Sequence, residues 1–333
     1  MSLPLSVLTG FLGSGKTTLL GRMIRSESFR NTAVIINEFG SVGLDHVLVS
    51  KGEDCRATLL DSGCLCCALE GSLQSTLQRL FYDRERSIIP RFDRVVIETS
   101  GLADPAPVVN ILGADRFIAR HFSLGTITTT VDAVFGAGQL LEFEEARSQV
   151  AMADTIILTK TDLADRARNT HTIPSIRTLN PYVPLVESTL DGFAAGQLPG
   201  VILFPPGIHP PLPRPGLAPR QAHSDHRPGH IDSHGIESRV RRFPTVIPWS
   251  RYAAWVRDIQ TRLGERLMRL KGILALDDGR PHAIHAVRHL FTPPEELSGS
   301  VPLDLVGHVV LITRNVSDEE IAACDSLLRQ GLD

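Results

Sequence analysis

Residues 10–18 read GFLGSGKTT and match the spacing G-x-x-x-x-G-K-[ST]. Gly10, Gly13 and Gly15 let the backbone turn tightly, so its N–H groups point at phosphate oxygens without side chains intruding. Ser14 and Thr18 belong to the same loop. Lys16 reaches toward the β- and γ-phosphates of a nucleotide, and Thr17 offers its hydroxyl to Mg²⁺. An apolar run precedes the motif and an amphipathic pattern follows it, so the helix dipole adds to phosphate binding. The alternative is a glycine-rich turn without a ligand.

Nucleotide hydrolysis needs further parts, and three stretches supply candidates. In RVVIETSGLADP (94–105) an apolar run ends in Glu98, which can hold Mg²⁺ through water or orient the attacking water. Gly101 follows, with a backbone N–H for the γ-phosphate. In IINEFGSVGLDH (35–46), Asn37, Glu38 and Asp45 follow an apolar run beside Gly40 and Gly43, as in a nucleotide-sensing loop; a plain turn explains the pattern equally well. In LTKTDLAD (158–165), Asp162 can accept both the N1 and N2 hydrogens of guanine while the stem of Lys160 covers the ring. Adenine lacks that donor pair, so GTP is the expected nucleotide. Lys16, Glu98 and Glu38 are the catalytic candidates.

Three of the five cysteines, Cys64, Cys66 and Cys67, fall within DSGCLCCALEG (61–71). Thiolates are soft ligands that suit Zn²⁺, Cu(I) and, less selectively, Co²⁺, and three of them leave a tetrahedral ion one ligand short. Such a site is open and releasable. Cys64 and Cys66 are expected on an extended segment, and Cys67 where a helix carrying Leu69 and Leu73 begins, which would favour its thiolate. Buried small residues or a disulfide are the competing readings. Cys324 shares the apolar side of the last helix with Ile321, Leu327 and Leu328, and reads as a buried, inert thiol. His223, His226, His230 and His234 lie in a proline- and glycine-rich tract that either gathers metal loosely or is a plain linker. His282, His285 and His289 read as structural or partner-facing rather than as ligands.

The elements that must position these residues follow from pattern. Strands are expected at 5–9, 33–37, 94–99, 126–132 and 155–160, several apolar on both faces, as in a sheet covered by helices on both sides. Helices lie between them, with Leu19, Leu20, Met23 and Ile24 on one face and Leu73, Leu77, Leu80 and Phe81 on another. The class is α/β, doubly wound and mostly parallel. Residues 205–235 hold five of the twelve histidines amid dense proline and glycine. The expected division is therefore 1–205, a linker at 206–235, and a smaller α+β domain at 236–333. That domain starts with a helical pattern over 250–270 and strands at 282–291 and 308–315. It ends in a helix opened by Ser317 with Glu320 three positions later, a capping box.

At 333 residues two domains are expected, because single cores rarely exceed roughly 250–300 residues. A net charge of -3 points to neither nucleic acid nor an anionic membrane. No run approaches the roughly 18 apolar residues of a membrane span. The start, MSLPLSVLTG, lacks a basic region and reads as a strand, so a reducing cytoplasm is expected, where clustered cysteines mean metal more often than disulfide.

In their order, GFLGSGKTT, NEFGSVGLD, GCLCC, ETSGLADP and TKTD, with a histidine-bearing tract after them, this chain resembles the CobW-like metallochaperone GTPases, relatives of HypB and UreG. The resemblance is dense over 1–190. It is looser over 236–333, where RLKGIL (269–274) and DLVGHVVLITRNVSDEEIAAC (304–324) are similar to the family's C-terminal domain. It implies a GTPase that binds a transition metal, Zn²⁺ or Co²⁺, at Cys64, Cys66 and Cys67 and couples nucleotide state to delivery. Glu38 then belongs to the switch region, and the client metalloprotein docks on the C-terminal domain, with a homo-oligomer also open. Departures are Thr159 in place of the usual asparagine, Ser100 in place of a second threonine, and a sparse histidine tract. Passive metal storage and a small-molecule kinase are the alternative functions.

Overall fold

In the computed structural model, residues 2–26, 29–37, 58–59, 65–68, 72–164, 166–188, 235–243, 246–297, 301 and 305–329 are described. The chain divides into two compact units, Met1–Ile173 with Val183–Ile208, and Pro174–Tyr182 with His209–Asp333.

The first unit is built on a sheet of eight strands: β1 (Leu3–Gly10), β2 (Thr32–Asn37), β3 (Thr58–Leu59), β4 (Leu65–Ala68), β5 (Arg94–Thr99), β6 (Phe122–Asp132), β7 (Thr155–Thr159) and β8 (Leu185–Glu187). Their order is β3-β4-β2-β5-β1-β6-β7-β8. Every neighbouring pair is parallel except β3–β4. The helices are α1 (Lys16–Ile24), α2 (Leu73–Glu85), α3 (Ala106–Ala114), α4 (Arg116–His121), α5 (Gly136–Glu142), α6 (Glu144–Met152) and, as far as Ile173, the first part of α7 (Arg166–Leu179). This is the doubly wound, mostly parallel sheet that the strand–helix alternation implies.

Central strands are apolar on both sides: Leu5, Val7 and Leu8 of β1 and Val95, Val96 and Ile97 of β5 are all fully buried. Leu19, Leu20, Met23 and Ile24 of α1 pack with Leu8, Val34, Val96 and Ile157. Each such side chain contributes about 1.5–3 kcal/mol by leaving water. Leu77 and Leu80 bury the matching face of α2. Parallel order brings the carboxyl ends of β1, β5, β6 and β7 to one edge, where open α/β sheets hold their ligands.

The second unit has its own antiparallel sheet: β9 (Ile236–Arg242), β10 (Leu267–Leu276), β11 (Arg280–Val287), β12 (Leu290–Phe291), β13 (Glu295–Glu296) and β14 (His308–Arg314). The order is β12-β11-β10-β14-β9, with β13 on β11. Tyr252, Trp255 and Ile259 of α8 (Trp249–Arg262) and Ile321, Cys324 and Leu328 of α9 (Asp318–Arg329) close a core with Leu270, Leu274, Ile284, Val309 and Leu311.

The helical pattern expected over 250–270 stops short. The helix ends at Arg262, Gly264 adopts φ 51°, and Leu267 begins β10. Strand partners on both sides, β11 and β14, claim that apolar segment. The capping box forms as expected: Ser317 N–H donates to Glu320 Oε2 (3.0 Å), and Glu320 N–H donates to Ser317 Oγ (3.2 Å). Among the described residues, no helix is long and apolar enough to cross a membrane.

Candidate nucleotide and metal site

The turn from β1 into α1 is a cradle of backbone amides. Gly13 and Gly15 take φ 72° and 89°, in the left-handed region that glycine enters without strain. Gly10 is held by proximity as well, since a Cβ there would meet the Thr130 carbonyl oxygen at 2.4 Å. Lys16 is buried and lies back across the loop, donating to the carbonyl oxygens of Gly10 (2.8 Å) and Phe11 (3.3 Å). Ser14 is also buried, its Oγ 2.7 Å from Thr130 Oγ1.

Thr17 Oγ1 donates to Glu98 Oε1 at 2.7 Å, and Glu98 is fully buried at the end of β5. A hydroxyl and a buried carboxylate are the hard oxygen donors that Mg²⁺ prefers, so this pair fits that ion. Gly101 packs so closely on the loop that a Cβ would lie 2.8 Å from the backbone nitrogen of Leu12. The Gly101 segment is fastened from its other side by Gln149, whose Nε2 donates to the carbonyls of Gly101 (3.2 Å) and Ala103 (3.0 Å).

Lys160, in the left-handed region at φ 57°, donates from Nζ to Asp132 Oδ2 (2.6 Å) and to the Gly13 carbonyl (2.8 Å). Thr159 turns inward, donating from Oγ1 to the Ser14 carbonyl at 2.8 Å. Its hydroxyl ties β7 to the phosphate loop. Asp162 is exposed two residues after Lys160.

The structure therefore brings Gly10, Gly13, Ser14, Gly15, Lys16, Thr17, Glu98, Gly101 and Lys160 together, with Thr18 in the first turn of α1. Sequence reasoning missed Asp132 and Gln149. Asp132 had a signal, a lone carboxylate ending an apolar strand, as Glu98 does. Gln149 had none, because a glutamine within a helix reads as surface.

The cysteine motif is partly in view. Cys66 and Cys67 lie in β4, in register with Val34 and Ile35 of β2. The expectation that Cys67 opens a helix fails: α2 begins at Leu73, with Ser72 as its N-cap accepting from Ser75 N–H. Pairing with β2 claims the cysteines for the sheet, and the helix waits for the capping serine. Register then connects two motifs. Ala68, Ile36, Glu98 and Leu8 form one row across β4, β2, β5 and β1, and Cys67, Ile35, Ile97 and Val7 form the row beside it. At about 4.8 Å per strand, the Cys67 backbone lies about 10 Å from that of Ile97, the neighbour of Glu98. Glu38, Asp45, Cys64, Leu69, His223, His226, His230 and His234 lie outside the described residues.

Cys324 is buried in α9 as expected. Burial, then its hydrogen bond to Asp258, pushes its thiol up to about 12.

Residues 4–187 match the CobW/HypB/UreG nucleotide-binding domain, and residues 236–324 match the cobalamin synthesis protein CobW C-terminal domain. The zinc chaperone YjiA of Escherichia coli K12 is 39% identical over 196 residues, covering 58% of this chain and 59% of that protein. The zinc chaperone CobW of Pseudomonas aeruginosa is 31% identical over 249 residues, covering 69% and 64%. The chain thus spans less than two thirds of the length of these curated relatives. The crystal structure of Zn(II)-bound YjiA GTPase from E. coli is similar with a TM-score of 0.72 at 27% identity, over 99% of this chain and 100% of that one. On these matches, and on the phosphate loop and sheet that carry them, the chain belongs to the CobW/HypB/UreG family.

Proposed function

We propose that this protein is a GTP-hydrolysing metallochaperone that takes Zn²⁺ at Cys64, Cys66 and Cys67 and couples its grip on the metal to the bound nucleotide. What carries the reading is the shared sheet: the strand bearing Cys66 and Cys67 is paired to β2, which is paired to the strand ending in Glu98. The zinc-chaperone relatives favour Zn²⁺ over Co²⁺.

In this reading the loop amides receive the phosphates, and Lys16 exchanges its two carbonyl partners for β- and γ-phosphate oxygens. Thr17 and Glu98 hold Mg²⁺, which neutralises charge on the phosphates when bound. Glu98 orients the attacking water, and Gly101 N–H meets the γ-phosphate. Asp162 accepts the guanine hydrogens while the stem of Lys160 lies over the ring. Glu38 acts in the switch, and the histidines at 223, 226, 230 and 234 gather metal loosely. A client metalloprotein docks on the C-terminal unit.

Linkage requires GTP and Zn²⁺ to strengthen each other's binding by one factor, typically about 5–150-fold. Calorimetric Zn²⁺ titrations with GDP and with a non-hydrolysable GTP analogue measure it, and equal affinities would refute the coupling. Replacing Cys66 and Cys67 by serine should abolish tight Zn²⁺ binding and spare GTP binding. Tight zinc retained in that variant would return the cysteines to a packing role.

A further inference from the structure

Among the described residues outside the nucleotide site, one group of ligand-type side chains converges. Asp278, His282 and Glu296 each offer one ligand atom, and these atoms all lie within 4.8 Å of one another. The backbone dictates the meeting. His282 and Glu296 are directly opposed in the antiparallel register of β11 and β13, so their side chains leave the sheet on one face. Asp278 sits in the tight turn between β10 and β11, its Oδ1 accepting from Arg280 N–H at 2.9 Å.

The imidazole is oriented as well. His282 Nδ1 lies 2.9 Å from the Arg280 carbonyl oxygen. A carbonyl can only accept, so Nδ1 carries the hydrogen, and in the neutral ring Nε2 keeps its lone pair. A backbone carbonyl behind the ring is the usual outer partner of a metal-ligating histidine.

We propose that Asp278, His282 and Glu296 form an exchangeable site for a divalent transition cation, Zn²⁺ first, on the C-terminal unit. One imidazole nitrogen and two carboxylate oxygens are a donor set suited to Zn²⁺. Mg²⁺ demands near-octahedral oxygen, and Cu(I) prefers thiolates. Bonds of about 2.0–2.2 Å need the ligand atoms about 3.3–3.6 Å apart, a contraction that rotation of exposed side chains supplies. Three protein ligands leave the fourth position to water or to a group on another molecule, the arrangement of a site that hands metal on.

Arg280 is the competitor. Its Nη1 lies 2.8 Å from Glu296 Oε1 and its Nε 3.4 Å from Asp278 Oδ2. Exposed ion pairs of this kind are weak, because water and salt screen them. The metal wins that exchange, with Arg280 moderating affinity rather than blocking the site.

The test uses the full chain and Zn²⁺ alone. Diffraction at the zinc edge from soaked crystals should show an anomalous peak bounded by His282 and both carboxylates. In chelator competition, His282→Ala and the shape-preserving Glu296→Gln should each lose one Zn²⁺ equivalent. Arg280→Ala should tighten that equivalent by roughly 3–10-fold, the weight of one to two exposed ion pairs. No peak at these residues, or an unchanged stoichiometry in both variants, overturns the site. A peak held by His282 alone is an adventitious ion and overturns it too. Weaker binding in Arg280→Ala overturns the competition.

Discussion

Asp132 clamps Lys160: a carboxylate almost wholly shielded from water lies 2.6 Å from the ammonium that also reaches the Gly13 carbonyl. The other oxygen of Asp132 accepts from the backbone N–H groups of Val134 (2.8 Å) and Phe135 (3.1 Å). One buried residue at the end of β6 thus holds its own turn and the lysine assigned to the base.

Asp132→Asn keeps an oxygen for the two amides and removes the charge facing Lys160. A hydrogen bond to a charged group is worth about 1.5–3 kcal/mol, and Lys160 is partly exposed, so the low end applies. GDP affinity should fall about tenfold. Fluorescent-nucleotide titration checks this, and unchanged affinity would show that the clamp does not serve the base.

In the proposed reading Thr17 and Glu98 both hold Mg²⁺, and Glu98 alone also orients the water. Excess Mg²⁺ should therefore rescue a Thr17 variant and not a Glu98 variant. Thr17→Ala should raise the Mg²⁺ concentration needed for half-maximal GTP hydrolysis. Glu98→Gln should retain GTP binding and lower turnover by about 10²–10⁴-fold, the usual range for a lost general acid or base. Steady-state phosphate release at varied Mg²⁺ distinguishes the two effects. Full turnover in Glu98→Gln would remove that residue from the mechanism.

Gln149 is a positioning residue for the Gly101 segment. Gln149→Leu leaves two carbonyl partners behind, at about 1–3 kcal/mol for each group left buried without a partner. Stability should drop, and the preference for a GTP analogue over GDP should fall because Gly101 N–H loses its aim. A purely structural role would lower stability while leaving the GTP-to-GDP affinity ratio intact, so that ratio decides.

The Cys324 thiol titrates near 9 when unperturbed and near 12 in the fold. A pKa raised by folding gives stability that is full below the unfolded value and lost as pH climbs through the folded one, here from about 9 toward about 12. Denaturant unfolding across that range should show a shallower alkaline decline in Cys324→Ala than in the parent. Identical slopes would remove Cys324 as the source.

Much of the site was legible because its residues are consecutive or end a recognisable strand. GFLGSGKTT carries its geometry within nine positions, and Glu98 and Lys160 each follow an apolar run. Gln149 was illegible because its partners, Gly101 and Ala103, are more than forty residues away and its helix gives no sign that this face is buried. Residues 267–270 continue a helical pattern that only flanking strands override. Thr159 stands where the family has asparagine, and only the fold shows that its hydroxyl serves the Ser14 carbonyl.

By itself the sequence determined the doubly wound class, the phosphate loop and the reserve of thiols, because each rests on local spacing or composition. Tertiary structure decided that the strand of Cys66 and Cys67 pairs with β2, that α2 waits until Leu73, and that Cys67 stands level with Ile97 beside Glu98. The reason is physical. Sheet register is set by hydrogen bonds between strands distant in the chain, and no local pattern records which strand becomes the neighbour.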